Sequence, residues 1–543
     1  MDGRRKNLVC GIAAVVSALL LWAAYPPNNE SFAVIVALVP MFALLRSSSP
    51  GRSALFFFIF GFLYWILALS WMPAIIKNNG PWPLVLLGWF ALAAACAGYF
   101  ALFGYAAAWV WRLRRTKGIP SVACIFAEAV IWALCEYMRA TLFTGFAWNF
   151  LGTAFASMPS FATPARFGGV YLVSALTVLL NGVFATLLMR VFAPVFHLDW
   201  PNPIRPSMQG GGGTLPSASC KLPNRLVQVC ETGLPLLVIL ACLCLGNRMV
   251  AKAMAHGEDT AAIRVALVQR NAPCVFSSRR REDAHEAFMR LIDVTAAAKP
   301  DLLVLAESAM AEFGAVRSQR AQAVAHDFIV RAGAKSLIAG GDDVLSNRTY
   351  NAAVMYSVSS VVGGGMNESN SSTFNVQPST TMAGVYRKQH LVPFGEYIPF
   401  DKWIPALQKL SPIGVSLYPG EPALFEVPAA DGRMVKAAPL ICYEDTDPRL
   451  AAKAARMGAG MIILITNDSW FSCSAEAEAH AAQAVLRAIE TGLTIVRVGN
   501  SGVSGVIRPD GSARWLSDAN GKPLTDAQGV MVETVFARCG KGG

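Results

Sequence analysis

The chain carries two patterns of apolar and polar positions, and the change from one to the other falls near its middle. In the first half, seven stretches are apolar over most of their length: about residues 8–25, 31–46, 54–72, 82–111, 121–142, 170–194 and 230–247. A membrane-spanning helix needs about 20 such residues, so each stretch predicts a span. The fourth is longer than one crossing requires and predicts a tilted helix. The fifth carries Glu128, Glu136 and Arg139 and is the least regular of the set. The basic start Arg4-Arg5-Lys6 resembles that of a signal peptide, but the apolar run behind it is long and shows no small-x-small cleavage site, which predicts a retained first helix. Residues 200–226, with the run Gly210-Gly211-Gly212-Gly213, read as a flexible loop.

From residue 263 the period changes. Short apolar runs at 263–269, 301–305, 336–340, 351–355, 383–388, 435–442 and 461–466 have the length and residue types of buried strands. Helical patterns at 282–298, 448–457 and 475–491 fall between some of them. This alternation predicts α/β layers. A Ser/Gly/Asn-rich stretch at 357–381 reads as a surface insertion. The chain therefore divides into a transmembrane helical domain over residues 1–250 and an α/β domain over 260–535.

Composition sharpens this picture. Only 15% of the residues are charged and 54% are hydrophobic, against about 25% charged in soluble chains. The net charge of +11 is the balance of a basic protein, but no Lys/Arg stripe interleaves with aromatics, so nucleic acid is not an expected partner. The basic residues instead fix an orientation. With a cytoplasmic N-terminus, thirteen fall inside: Arg4, Arg5, Lys6, Arg46, Arg52, Arg112, Arg114, Arg115, Lys117, Arg190, Arg205, Lys221 and Arg225. Three fall outside: Lys77, Arg139 and Arg166. Cytoplasmic loops carry the Lys/Arg excess, so seven crossings deliver the α/β domain to the outer face, with 200–226 as a cytoplasmic loop. The 12 cysteines contain no CxxC pair, and neither a zinc site nor a disulfide framework is expected.

In α/β folds, reactive groups tend to gather at the carboxyl ends of strands. Glu307, Lys388 and Cys442 each close or follow an apolar run. A thiol at a strand-to-helix turn lies near backbone N–H groups, which lower its pKa and can bind an oxyanion. A carboxylate at the end of a buried strand can serve as a general base, and an ammonium can stabilise an oxyanion. Taken singly, each has a plainer reading: a buried structural cysteine, an ion-paired or capping glutamate, and a solvated surface lysine.

Together and in this chain order, the three resemble the Glu-Lys-Cys triad of the nitrilase superfamily of carbon–nitrogen hydrolases. Lys388 followed by His390-Leu391-Val392-Pro393-Phe394-Gly395-Glu396, the turn Cys442-Tyr443-Glu444, and Thr466-Asn467-Asp468-Ser469-Trp470-Phe471 are similar to the apolipoprotein N-acyltransferase family. So are Glu136-Tyr137-Met138-Arg139 and residues 143–152 in the apolar half. Two departures stand out. Ala306 replaces the proline that usually precedes the family's glutamate. No apolar run follows the α/β domain, where the family usually closes with a further span, so the chain is either truncated or of a lineage that does without it.

The resemblance implies a multi-span α-helical membrane bundle carrying a nitrilase-type αββα sandwich in the bacterial inner membrane, with the catalytic domain periplasmic. It implies transfer of an acyl chain from a phospholipid, through a thioester on Cys442, to the N-terminal amine of a diacylglyceryl lipoprotein, with no metal or organic cofactor. Glu307 would be the base, and Lys388 with the Tyr443 N–H would hold the oxyanion. Glu396 and Glu444 would orient Lys388 and Cys442, and residues 394–407 would form a lid. Trp148 and Trp470, with Tyr443, would contact lipid or substrate, or else serve as ordinary packing. The alternative is a membrane-tethered amidase or nitrilase that hydrolyses a small C–N substrate.

Overall fold

A computed structural model describes residues 3–78, 80–196, 224–255, 259–272, 279–359, 379–399, 401, 403 and 416–539. The expected 200–226 loop and the 357–381 insertion fall largely outside these residues, and the 394–407 lid falls outside them at 400, 402 and 404–407. The chain forms two compact units, one of Met1–Met72 with Pro83–Arg248, the other of Pro73–Trp82 with Met249–Gly543.

Among the described residues, five helices are long and apolar enough to cross a membrane: Pro50–Lys77, Trp82–Lys117, Ser121–Thr141, Ala165–Val191 and Val229–Met254. At 1.5 Å per residue the 36-residue second of these is about 54 Å long, well beyond a hydrocarbon core of about 30 Å. The first predicted stretch forms a helix over Gly3–Ala23. The second does not run as one regular helix. It forms a short 3-10 turn at Ser31–Ile35 and then a helix over Val39–Leu45, with Pro40 in that helix's first turn. Proline fits there because the missing N–H would have no intrahelical partner.

The polar residues of the fifth stretch are partnered rather than stranded. Glu128 accepts from Trp111 Nε1 at 2.7 Å and from Arg46 at 3.4 Å, and Arg46 lies 4.5 Å from the Trp111 ring centre. Glu136 accepts from Trp132 Nε1 at 3.0 Å and from the Leu151 N–H at 2.7 Å. Arg139 donates to the carbonyls of Phe146 and Trp148 at 2.7 and 2.6 Å. Arg46 and Arg139 are thus buried members of the bundle, not loop charges. Removing both leaves twelve basic residues inside against two outside.

The second unit is two six-stranded sheets. Its strands are β1 Thr260–Gln269, β2 Leu302–Leu305, β3 Ser336–Leu345, β4 Arg348–Ser359, β5 Ser379–Arg387, β6 Phe425–Pro428, β7 Met434–Ile441, β8 Met461–Thr466, β9 Thr494–Gly499, β10 Gly505–Ile507, β11 Ala513–Trp515 and β12 Gly529–Arg538. One sheet has the order β12-β1-β2-β3-β4-β5, the other β11-β10-β9-β8-β7-β6. β1, β2 and β3 run parallel, as do β7, β8 and β9. Such strands are buried on both faces and read as unbroken apolar runs. Their period of two sorts the side chains. Val265, Leu267, Leu302 and Val304 enter a core shared with Ile441, Ile463, Ile465 and Val496 of the other sheet. Ala266, Val268, Leu303 and Leu305 face Phe288, Ile292, Phe328 and Ile329, which lie on helices Arg279–Thr295 and Gln319–Ala332. Helices Pro448–Arg456 and Glu476–Thr491 follow β7 and β8 in the second sheet. The result is the αββα sandwich.

Candidate active site

The sandwich brings Glu307, Lys388 and Cys442 to one place. Glu307 lies just past β2, Lys388 follows β5, and Cys442 follows β7. Lys388 Nζ stands 3.8 Å from Glu307 Oε1 and 2.9 Å from Glu396 Oε1, with the lysine 1% exposed. The Cys442 thiol feels both the Lys388 and the Glu307 charges. Cys442 has φ 52, a left-handed conformation that strains a residue with a Cβ by roughly 1–2 kcal/mol. It opens a 3-10 turn, Cys442–Thr446, that lifts the sulfur off the end of the strand.

The supporting carboxylates tie these parts together. Glu396 accepts from Lys388 Nζ, from the Val392 N–H at 2.8 Å and from Asn351 Nδ2 at 2.7 Å. Glu444 accepts from the Gln389 and His390 N–H groups at 2.7 and 3.1 Å on one side of the site. On the other it accepts from the Ile441 N–H at 2.8 Å, and from Tyr386 Oη at 2.7 Å. One carboxylate therefore clamps the residues next to Lys388 to the residue before Cys442. The Tyr443 ring packs edge-on against His390 at 5.5 Å. Trp470 is half-buried on the turn Asp468–Phe471. Trp148 belongs to the helical unit and is buried against Trp71 and Phe146, at 5.5 and 6.4 Å between ring centres.

Sequence reasoning missed Asn351. It sits on β4, whose next residue pairs with Arg387, and its side-chain amide donates to Glu307 Oε1 at 2.6 Å as well as to Glu396. An amide with two N–H donors can hold two carboxylates apart in a fixed geometry. Its only signal in the sequence is a polar residue opening an apolar strand.

The electrostatics set the resting protonation. Burial raises Glu307 above the ordinary carboxylate range, and Glu396 adds to this while Lys388 and Asn351 oppose it. Burial also disfavours the Lys388 charge, but Glu396, Cys442 and Glu307 outweigh it and hold the ammonium well above its usual value. Burial and the Glu307 charge push the Cys442 thiol up, against the pull of Lys388. The strand-end position suggested a lowered thiol; desolvation reverses the sign. The resting site thus holds a protonated Cys442 thiol, a Glu307 carboxyl with its pKa raised, and a charged Lys388 ammonium.

Cys442, Asp468 and His480 present ligand atoms within 4.8 Å of one another, the composition of a cation site. The chemistry of His480 argues against that use. Its Nδ1 reaches Asp468 Oδ1 and its Nε2 reaches Asp445 Oδ1, each at 2.9 Å. Burial alone would strip its proton, but Asp445 and Asp468 push it up to about 10. At neutral pH both ring nitrogens are occupied donors, with no lone pair for a metal.

Backbone packing sets the base. A Cβ on Gly340 would lie 2.6 Å from Glu307 Cα and 2.8 Å from the Ser308 nitrogen. Gly340→Ala is expected to displace Glu307, cut turnover at least roughly tenfold, and lower stability by about 1–3 kcal/mol. Activity and melting temperature measured on one preparation check this; parent-like turnover would contradict it.

Two family models match the chain: an apolipoprotein N-acyltransferase N-terminal domain over residues 17–183 and a carbon–nitrogen hydrolase domain over residues 264–528. Helices, sandwich and site thus define a membrane enzyme of the carbon–nitrogen hydrolase superfamily. An apolipoprotein N-acyltransferase of Geobacter metallireducens is 27% identical, covering 93% of this chain and 86% of that protein. One from Ralstonia nicotianae is 29% identical, covering 95% of this chain and 87% of that protein. The chain is similar to apolipoprotein N-acyltransferases over most of its length and is an N-acyltransferase. Among solved structures, an amidase from Nesterenkonia sp. aligns at 17% identity with a TM-score of 0.33, covering 51% of this chain and 90% of that one.

Proposed function

We propose that the enzyme moves an acyl chain from a phospholipid, by way of a thioester on Cys442, to the N-terminal amine of a diacylglyceryl lipoprotein. The observation that carries this reading is a cluster of buried Glu307 and Lys388 with a partly buried Cys442, in the same chain as five described helices of membrane-crossing length. Glu307 takes the Sγ proton as sulfur attacks the sn-1 ester carbonyl. Lys388 and the Tyr443 N–H hold the oxyanion. The C–O bond breaks, Glu307 returns the proton to the glycerol oxygen, and lysophospholipid leaves. The lipoprotein amine then attacks the thioester, the C–N bond forms, the C–S bond breaks, and the amine proton passes through Glu307 to the sulfur. No step calls for a metal or organic cofactor.

Joining this site to membrane-crossing helices in one chain fits substrates that are themselves membrane lipids. A soluble enzyme would have to lift each chain out of the bilayer at about 0.8 kcal/mol per CH₂. The test is the purified full chain in nanodiscs with phospholipid and a diacylglyceryl lipopeptide, run beside a small amide. The expected products are a triacylated lipopeptide and lysophospholipid in equal amounts. Hydrolysis of the amide with no acylated lipopeptide would point to the hydrolytic alternative.

The Lys/Arg asymmetry supports a cytoplasmic N-terminus, multiple passes of the inner membrane and a periplasmic catalytic domain. A reporter active only in the periplasm, fused after Gly543, is expected to work. Activity there from a cytoplasm-only reporter would overturn this topology.

A further inference from the structure

A group of buried charges beside the nucleophile takes no part in the steps above. β7 and β8 run parallel with Ile441 opposite Ile465, so the next residues along, Cys442 and Thr466, end side by side. The Thr466 hydroxyl reaches Asp468 Oδ1 at 2.8 Å, and an Asp468 carboxylate oxygen lies within 4.8 Å of the Cys442 sulfur. Asp468 is held in turn by His480 Nδ1 at 2.9 Å and by Arg497 at 3.1 Å. His480 bridges from Asp468 to Asp445 on the Cys442 turn. Thr466, Asp468, Asp445, His480 and Arg497 are all buried.

A hydroxyl has one hydrogen to give. Thr466 can spend it on Asp468 or on the sulfur, but not on both. We propose that Thr466 is a further catalytic residue, whose hydroxyl donates to Asp468 while Cys442 is a thiol and turns to donate to the sulfur as the proton leaves for Glu307. Asp468, His480 and Arg497 are positioning residues for this switch. It rests on the reading of Cys442 as the nucleophile and Glu307 as its base.

The surroundings make the switch affordable. When Thr466 turns away, Asp468 loses one donor but keeps two cationic ones, so no buried charge is left alone. Burial would raise Asp468; His480 and Arg497 override it and hold the carboxyl down at about 2. His480 stays an imidazolium throughout, so the switch moves a hydroxyl hydrogen and changes no charge in the cluster. The sulfur needs such help, because burial and Glu307 both resist its ionisation. Glu307 and Asp468 oppose the thiolate and Lys388 favours it, as does the His480 imidazolium, whose ring nitrogen lies within 4.8 Å of the sulfur.

The experiment is the rate of Cys442 alkylation by iodoacetamide in the full chain in nanodiscs, across pH, read at the Cys442 peptide by mass spectrometry. Hydrogen bonds to charged groups are strong enough that Thr466→Val, which keeps volume and loses the hydroxyl, is expected to alkylate roughly tenfold to a hundredfold more slowly at pH 8. Thr466→Ser is expected to restore the parent rate to within about twofold. Alkylation of Thr466→Val at the parent rate across the pH range overturns the proposal. So does loss of native melting in both Thr466→Val and Thr466→Ala, which would make the hydroxyl a structural tie. The readout needs no lipid, so it is separate from the proposed function. Failure of that function appears as a parent enzyme that alkylates at Cys442 yet never carries an acyl group there.

Discussion

Cys442→Ala is expected to lose N-acylation of a diacylglyceryl lipopeptide altogether, at least roughly a thousandfold below the parent, while Cys473→Ala keeps nearly all of it. The two cysteines make a matched pair. Cys473 is exposed in a loop, and its backbone N–H donates to Asp526. Cys442 follows a buried strand, and its sulfur feels the Lys388 and Glu307 charges. Cys442→Ser should fare little better than alanine. A hydroxyl is far less acidic than a thiol, and a carboxylate is too weak a base to ionise it. Substantial activity in Cys442→Ser would mean that proton removal is not the step Glu307 serves.

Glu307→Gln is expected to slow acyl-enzyme formation by roughly a hundred- to ten-thousandfold, the usual worth of a positioned general base. It should not cost stability. Glutamine can still accept from Asn351, Lys388 keeps Glu396 at 2.9 Å, and a buried carboxylate is removed. A melting temperature at or above the parent's, together with the loss of rate, separates a chemical defect from a folding one. The pH profile carries the same sign. Glu307 works as a base only when ionised, so the rate falls as pH falls through its pKa. Because burial raises that pKa above 4.5, the acid limb of acyl-enzyme formation should lie above pH 4.5 and be absent from the residual rate of Glu307→Gln. Combining Glu307→Gln with Cys442→Ala should reduce the rate no further than Cys442→Ala alone, since the two act as one unit.

Much of this was legible in the chain, for identifiable reasons. Apolar runs of spanning length announce the helices because the bilayer imposes a length. Apolar strand runs such as 263–269 and 461–466 announce a sheet covered on both faces, and the fold buries all of 461–466 and all of 263–269 except Arg264. Cys442, Lys388 and Glu307 stood out because each follows such a run. The remainder depended on contacts between distant residues. Asn351 meets Glu307 across 44 positions of sequence, and His480 meets Asp445 across 35; no local period marks either pair. The sign of the thiol shift was missed for a similar reason, since a turn suggests nearby N–H groups but only the packed fold shows how fully the sulfur is desolvated. Arg46 counted as a loop charge because it closes an apolar run, and its burial follows from Glu128 and Trp111 on later helices.

The account's central claim is a covalent acyl group on Cys442. Incubating the parent enzyme in nanodiscs with phospholipid bearing a tagged sn-1 chain, without acceptor, should leave the tag on the Cys442 peptide. Neutral hydroxylamine should release it, and added diacylglyceryl lipopeptide should discharge it onto the peptide's amine. A tag that persists in Cys442→Ala, that resists hydroxylamine, or that appears on the lipopeptide without ever occupying Cys442 would contradict the account.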